Sequence, residues 1–235
     1  ALQALTPRVM RVVLRPDRWV RPRPGQHLDV RLTAEDGYQA QRSYSLLSPP
    51  QRTGLYELGI ERLDDGEVST WFHDKAQHGE TIEVLGPVGG HFVLDESNTR
   101  PALLIGGGSG VVPLLSMAAQ RVGAYSQAHT TLLVAARHLD EVLLWPTLQR
   151  WEAFTPRFRS RLALSRDTCA PRAQDHVGRI DGADVAWALQ QLGDVATESA
   201  QVFICGRNDF VESIVHMVTG LNVPEVSIRT ERFGS

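Results

Sequence analysis

The glycine-rich run between residues 101 and 119 constrains the fold of this chain most strongly. It opens with the apolar segment Ala102–Ile105, which is typical of a buried strand, and passes through glycines at 106, 107, 108 and 110 into Val112–Arg121, whose spacing predicts a helix. Glycine lets the backbone approach a bulky group, and the free N–H groups of a helix N-terminus suit a phosphate. The run therefore predicts a candidate nucleotide site, although the same turn also occurs as a plain connection.

The run departs from three better-known glycine motifs. Val111 and Pro113 stand where a G-x-G-x-x-G motif requires glycine, and no Lys-Ser/Thr pair completes a Walker loop. Ser109 lacks the glycine at position 111 that a G-x-S-x-G elbow requires. The meaning of the run therefore depends on the rest of the chain.

Composition excludes several classes of function. The chain has 235 residues, 42% hydrophobic and 22% charged, which is typical of a globular protein with one large domain or two ordinary ones. A net charge of −3 gives no electrostatic reason to expect nucleic acid as a partner. Because Cys169 and Cys205 are the only cysteines, we expect no disulfide framework, iron–sulfur cluster or other bound metal.

The uncharged stretch 101–119 approaches the length of a membrane span, but its glycines and Pro113 would make a poor spanning helix. Residues 1–7 lack the long apolar core of a signal peptide. We therefore expect a cytoplasmic protein without a membrane partner.

The first 97 residues predict a β-rich domain. Short apolar or aromatic runs alternate with turn residues at 23–25, 36–37, 48–50 and 86–90, which is typical of a small antiparallel barrel. Helical spacing over Val68–Ala76 predicts one helix within it. The predicted strands are Arg8–Leu14, His27–Leu32, Arg42–Leu47, Leu55–Leu63, Thr81–Leu85 and His91–Leu94.

After the polar segment 95–100, strand and helix patterns alternate. This alternation predicts a second domain, residues 98–235, built on an open parallel sheet with a ligand at the carboxyl ends of its strands. The predicted strands are Ala102–Ile105, Thr131–Ala136, Arg161–Ser165, Gln201–Cys205 and Val226–Thr230. The predicted helices are Val112–Arg121, Glu141–Phe154, Ala183–Leu192 and Asp209–Thr219.

Two short patterns in the first domain are candidate binding residues. Strand alternation places Arg42 and Tyr44 on one face and Ser45 on the other. The arginine can bind a phosphate group, the tyrosine can stack on a flat ring of a ligand, and the serine hydroxyl can form a hydrogen bond with the edge of that ring. Gly66-Glu-Val-Ser69, which follows Ile60-Glu-Arg62, opens a helix whose N–H groups suit a second phosphate oxygen. An exposed strand and a capping turn explain the same two patterns without a ligand.

Five motifs, in order, resemble those of the ferredoxin–NADP⁺ reductase superfamily of flavoprotein reductases. They are Arg42-Ser-Tyr-Ser45 for R-x-Y-S, Gly66-Glu-Val-Ser69 for G-x-V-S/T, residues 86–92 for G-P-x-G-x-F with one extra glycine, residues 107–113 for G-G-T-G-I-A-P, and Cys205-Gly206. The resemblance spans essentially the whole chain. It implies a two-domain flavoprotein with an N-terminal FAD-binding antiparallel β-barrel and a C-terminal NAD(P)-binding α/β domain.

The resemblance also implies roles for individual residues. In the flavin site, Arg42 would hold the FAD pyrophosphate, Tyr44 would pack on the isoalloxazine and Ser45 would bond near flavin N5. The other implied flavin-site residues are Ile60, Gly66, Val68, Ser69 and Phe233, the last in place of the family's usual Tyr or Trp. The implied nicotinamide-nucleotide residues are Gly107, Gly108, Ser109, Gly110, Cys205 and Gly206.

The resemblance makes Ser45, Cys205 and Glu231 the candidate catalytic residues. The alternatives are a small buried hydrophobic residue for Cys205 and a solvated surface charge for Glu231.

Three polar residues follow the second and third strands of the predicted sheet, namely Arg137, Ser165 and Arg166. A guanidinium group suits the 2′-phosphate of NADP, and the family's NADP-selective members resemble Ser165-Arg166 here. NADH-using relatives can also carry arginine nearby. We expect NADP(H) to be preferred over NAD(H).

The resemblance implies that NAD(P)H donates a hydride to tightly bound FAD, and that electrons then pass to a separate ferredoxin, flavodoxin or oxygenase component. The alternatives are a reductase of free flavin or quinone, a non-autonomous electron-transfer subunit of a larger oxidoreductase, and a nucleotide-binding regulatory domain without turnover. The sequence does not name the acceptor.

Overall fold

The computed structural model describes residues 1–193 and 199–233. Its N-terminal part contains six strands and one helix, which are β1 (Leu2–Ala4), β2 (Val9–Leu14), β3 (His27–Thr33), β4 (Gln39–Ser45), β5 (Tyr56–Glu61), α1 (Glu67–Asp74) and β6 (Glu83–Val88).

These strands form two antiparallel sheets of three strands each, in the orders β1-β2-β5 and β4-β3-β6. A single bridge between Leu46 and Leu58 connects the end of β4 to β5. Both sheets and α1 bury their apolar side chains in one core, which includes Leu28, Ile60 and Phe72. The expected antiparallel fold of the first domain is thus confirmed as two small sheets around a shared core.

Two predicted strands of this domain were misplaced. The last ladder strand lies at Glu83–Val88 and not at Thr81–Leu85. Residues 91–94 form no strand: the Leu94 N–H donates a single hydrogen bond of 3.1 Å to the Pro24 carbonyl oxygen, and Phe92 and Leu94 are buried in the cluster shared with the second domain. An apolar run in the sequence indicates that its residues are buried, but it does not distinguish a strand of a sheet from a segment buried in a domain interface.

The second part of the chain alternates strands and helices. Its elements are β7 (Ala102–Gly107), α2 (Val111–Gly123), β8 (Thr130–Ala136), α3 (Trp145–Phe154), β9 (Phe158–Leu164), β10 (His176–Val177), α4 (Gly182–Gln190), β11 (Gln201–Gly206), α5 (Asn208–Gly220) and β12 (Ile228–Arg232). The predicted parallel sheet is confirmed, with the two-residue strand β10 added at one edge. Within the described residues, no helix combines the length and apolar character needed to cross a membrane.

The order of the six parallel strands, β10-β9-β8-β7-β11-β12, places β7 between β8 and β11. Connections from β7 therefore run in opposite directions on its two sides, and such a switch point opens a crevice at the carboxyl ends of the strands. The glycine turn 108–110 lies at this point, between β7 and α2. The sheet topology thus directs a ligand to the glycine-rich run.

The two parts of the chain meet in a close apolar interface. A Cβ atom on Gly59 of β5 would lie 2.6 Å from a methyl group of Val112 at the start of α2. The Ser116 hydroxyl donates a hydrogen bond of 2.8 Å to the Ser48 carbonyl oxygen, and buried hydrophobic residues of both parts belong to one cluster. The boundary that we place at residues 97 and 98 stays a prediction.

We expect Gly59→Ala to destabilise the protein by about 1–3 kcal/mol, because the added methyl group overpacks the contact with Val112. Urea unfolding measures this change. Gly182→Ala is the matched control, since a Cβ there meets nothing within 4 Å. Equal stability of the two variants would show that the interface accommodates a methyl group on β5 without cost, and would contradict this prediction.

Candidate functional site

The end of β4 carries the first candidate residues. Arg42 is exposed, Tyr44 is partly buried and Ser45 is buried. The Tyr44 ring meets Phe72 of α1 edge to face, with 6.3 Å between ring centroids and 88° between ring planes. Burial raises the pKa of Tyr44 to about 12, and the charge of Arg42 opposes this rise. Tyr44 is therefore a neutral, braced aromatic surface beside an exposed guanidinium group.

The N-terminus of α1 is shaped by Gly66 and Ser69. The Ser69 hydroxyl accepts a hydrogen bond of 3.2 Å from the Leu63 N–H and donates one of 3.1 Å to the Gly66 carbonyl oxygen. A Cβ on Gly66 would lie 2.3 Å from the Ser69 oxygen, so this turn requires glycine. Ser69 thus holds the turn, while backbone N–H groups of the first helical turn, including that of Val68, remain for an anion.

Ile60 contributes to this region through its backbone. Its side chain is fully buried in the core of the two sheets, and its carbonyl oxygen lies 3.0 Å from Nε2 of His73. The side chain of Ile60 is therefore part of the core.

The glycine loop of the second domain packs directly against β11. A Cβ on Gly110 would lie 2.5 Å from the Cys205 carbonyl oxygen, so no larger residue fits there without displacing backbone. Gly108 has φ 57°, in the left-handed region that favours glycine. Together with Gly107 and Ser109, these residues form a tight turn that ends where α2 begins.

Cys205 and Glu231 are neighbours in the parallel register of β11 and β12. The Glu231 oxygen Oε2 is buried and has no hydrogen-bond partner among the described residues. Burial raises the pKa of Glu231 to about 7, and burial together with the nearby Glu231 raises the pKa of the Cys205 thiol. Cys205 is therefore a neutral thiol beside a carboxyl group that can change protonation near neutral pH.

The chain beyond Glu231 is held against the same strand. The Phe233 N–H donates a hydrogen bond of 2.9 Å to the Gly206 carbonyl oxygen, and the ring of Phe233 packs on the buried cluster between the domains. Phe233 and Gly206 therefore lie together at the carboxyl edge of the sheet.

A cleft of about 230 Å³ lies between the two domains at this edge. It is lined by Thr230 and Glu231 from β12, and by Gly25, His27 and residues 89–92 from the first domain. His27 is the register partner of Ser45, so Ser45 lies next to a lining residue of the cleft without lining the cleft itself. The cleft thus places Glu231 of the second domain opposite His27, the neighbour of Ser45, in the first.

Sequence reasoning missed two residues of this region. His27 was assigned only to a strand, because its position opposite Ser45 depends on strand register, which the sequence pattern does not reveal. Phe210 of α5 lies under both glycine positions, 3.3 Å from a Cβ on Gly107 and 2.7 Å from one on Gly206. Phe210 lies four residues after Gly206, in the first turn of the predicted helix. This spacing could have indicated that its ring lies close to the glycine.

The three residues predicted for the 2′ position do come together. The Arg166 N–H donates to the Arg137 carbonyl oxygen at 2.9 Å, and the Ser165 N–H donates to that of Ala136 at 3.0 Å. The Arg137 guanidinium group forms a two-point ion pair with Glu141, at 3.0 and 2.8 Å. Arg166 is exposed, and its guanidinium group has no partner in the described parts of the chain. Of Arg137 and Arg166, only Arg166 therefore has a positive charge that no carboxylate in those parts neutralises.

Two family models cover most of the chain. The oxidoreductase FAD-binding domain matches residues 7–93, and the oxidoreductase NAD-binding domain matches residues 104–216. The chain belongs to the ferredoxin–NADP⁺ reductase superfamily. It is a flavin-dependent NAD(P)H oxidoreductase, with an FAD-binding domain followed by a pyridine-nucleotide domain.

Individual relatives agree with this assignment. Ferredoxin–NADP reductase B of Sorangium cellulosum is 29% identical over 84% of this chain and 80% of its own length. The ferredoxin reductase component of 3-ketosteroid-9-alpha-monooxygenase from Mycobacterium tuberculosis is 31% identical over 94% of this chain, which spans only 57% of that relative. The FAD/NAD-binding domain of Vibrio cholerae nitric oxide dioxygenase shares the fold, with a TM-score of 0.85 at 20% identity over 100% of this chain and 96% of that one.

We expect the flavin-free protein to lose stability as pH rises from 4.5 through about 7, because the Glu231 carboxyl must then ionise in a buried site. A pKa raised from 4.5 to about 7 corresponds to a loss of up to about 3 kcal/mol above the upper value. The folded state favours the protonated carboxyl group of Glu231. The stability that depends on this protonated form is therefore fully present below pH 4.5.

Urea unfolding of wild type and Glu231→Gln at pH 5 and pH 8 measures this loss. The variant should gain stability relative to wild type at pH 8. Glu225→Gln, at an exposed carboxyl group, is the control. An identical pH dependence for wild type and Glu231→Gln would contradict the assignment.

Proposed function

We propose that this chain takes electrons from NADPH and passes them, through tightly bound FAD, to a separate electron-carrier protein. The carrier would be a ferredoxin, a flavodoxin or an oxygenase component. The observation that carries the proposal is the cleft in which His27, paired with Ser45, faces Glu231 beside Cys205. The names of the Sorangium and Mycobacterium relatives support a protein acceptor.

The residues present fit a flavin dinucleotide. Tyr44 offers a braced aromatic surface, Arg42 offers a cation on the same face of β4, and α1 offers free N–H groups at its N-terminus. Two anion-binding features suit a pyrophosphate. Phe233 lies on the opposite domain and supplies a second aromatic surface.

A bound flavin supplies the chemistry, since it accepts a hydride from a reduced nicotinamide and releases the electrons singly or in pairs. The protein's own residues align the two rings. We assign Ser45, Cys205 and Glu231 to this alignment, because small displacements at a hydride-transfer site are costly in rate. The neutral Cys205 thiol adds no charge beside a nicotinamide, and Glu231 can hold or release a proton near pH 7.

The coenzyme preference rests on Arg166. Glu141 already compensates Arg137, so Arg166 is the cation available to a 2′-phosphate at the end of β9. Backbone hydrogen bonds hold both residues at the carboxyl edge of the sheet. This arrangement favours NADPH over NADH.

Purified protein tests the function directly. We expect it to retain FAD, identified by mass, through gel filtration, and to reduce ferricyanide, ferredoxin and flavodoxin with NADPH. A colourless protein whose NADPH oxidation depends on added free flavin would instead be a free-flavin reductase. A protein that keeps FAD and reduces ferricyanide but neither carrier would be a subunit of a larger oxidoreductase.

Arg166→Ala should raise the KM for NADPH roughly ten- to hundredfold and leave that for NADH nearly unchanged, because a charge-assisted hydrogen bond contributes about 1.5–3 kcal/mol. Steady-state kinetics with both coenzymes measures the effect. Arg137→Ala should act more weakly, since its charge is already paired. Arg150→Ala, at an exposed arginine of α3, is the neutral control. Equal losses for both coenzymes, or a wild type that prefers NADH, would refute the preference.

A further inference from the structure

The second domain has a small cationic pocket at the edge of its sheet opposite the glycine loop. The pocket has a volume of about 10 Å³, which is the space that one water-sized atom or molecule needs. It lies at the amino ends of β8 and β9, beside the last turn of α2 and the segment that follows α3. Its polar lining residues are Arg121, Ser126, Thr130, Thr155 and Arg157. The pocket therefore shares no residue with the cleft beside Glu231.

A buried hydroxyl group without a partner lines this pocket. Thr130, the first residue of β8, is 2% exposed, and its hydroxyl oxygen has no hydrogen-bond partner among the described residues. The Thr130 N–H is satisfied, since it donates to the Arg157 carbonyl oxygen at 2.8 Å. A buried hydroxyl group that makes no hydrogen bond costs free energy. An atom bound in the pocket can accept the proton of the Thr130 hydroxyl and remove this cost.

Arg121, in the last turn of α2, is a buried cation whose hydrogen-bond partners are neutral. It is 5% exposed, and it donates to the Ser126 hydroxyl oxygen and to the Arg100 carbonyl oxygen, both at 3.1 Å. These bonds use two of the five N–H donors of the guanidinium group. Burial lowers the pKa of Arg121, and no carboxylate of the described residues opposes this effect. The positive charge of Arg121 therefore lacks a counter-charge.

Arg157 brings a second positive charge to the pocket. It is exposed, and its guanidinium group donates to Nε2 of His129. Because Nδ1 of His129 donates to the Gln191 carbonyl oxygen at 3.1 Å, this imidazole is a neutral acceptor. The carboxyl-terminal ends of α2 and α3 each contribute about half a negative elementary charge nearby. Together they offset about one of the two guanidinium charges, so the pocket stays positive.

We propose that this pocket binds one small anion, which accepts a hydrogen bond from the Thr130 hydroxyl and is held by the charges of Arg121 and Arg157. The volume admits a single anionic atom, either a chloride ion or one oxygen of an inorganic phosphate. A water molecule can also accept the Thr130 proton, but it does not neutralise either guanidinium group. The site is separate from the proposed flavin and nucleotide sites and does not depend on them.

Chloride titration of the purified protein in a chloride-free buffer tests this site. Binding is followed by broadening of the chloride NMR line and by thermal unfolding, since a ligand of the folded state stabilises it. The variants are Thr130→Val and Arg157→Gln. Thr131→Val is the matched control, because Thr131 is also a buried threonine with an unpartnered hydroxyl group but lies on the other face of β8. Arg150→Gln controls for the loss of an exposed arginine charge.

We expect chloride to broaden the line and to raise the melting temperature of wild type. Thr130→Val should weaken chloride binding roughly ten- to hundredfold, the range for a hydrogen bond to a charged group, and Arg157→Gln should weaken it as well. Thr131→Val and Arg150→Gln should bind chloride like wild type. Without chloride, Thr130→Val should unfold at no lower temperature than wild type, because it loses a buried hydroxyl group that has no partner.

Competition with inorganic phosphate separates the two anions. Phosphate that reverses the chloride broadening would show that an oxyanion places one oxygen in the pocket, whereas chloride binding that phosphate does not affect would limit the site to single-atom anions. A wild type that shows neither line broadening nor stabilisation by either anion would overturn the proposal and assign the pocket to water. Equal chloride affinity in Thr130→Val and Thr131→Val would overturn it too.

Discussion

The close contact between Gly110 and the end of β11 is the constraint on which the site depends. Because no Cβ intervenes, the glycine loop lies directly against the Cys205 carbonyl oxygen. This contact brings the start of α2 and the end of β11 to a single crevice, and β12 then adds Glu231 through its register with Cys205. The loop, the thiol and the carboxyl group are thus located by backbone packing, before any ligand contributes.

Much of this arrangement was predictable from the sequence. The glycine run, the strand–helix alternation and the Cys-Gly pair each report a local requirement, and local requirements are visible in a single chain. The order of the motifs then predicted which half binds which nucleotide. Arg42 and Tyr44 were recognisable for the same reason, since their chemistry and their alternation lie within four residues.

The rest depended on long-range geometry. His27 enters the site because β3 pairs with β4 in one particular register, and Phe92 is buried because a second domain covers it. Neither fact leaves a pattern that differs from an ordinary strand. The Ser69 hydroxyl illustrates a different limit, since a motif identifies the residue but not the backbone group with which its oxygen bonds.

The interface at Gly59 and Val112 has a consequence for the cleft between Glu231 and His27. The two walls of that cleft belong to different domains, and the contact between Gly59 and Val112 packs the same two domains together. Densely packed interfaces resist compression and transmit strain. A larger side chain at position 59 would therefore strain the same interface that holds the two walls of the cleft against each other.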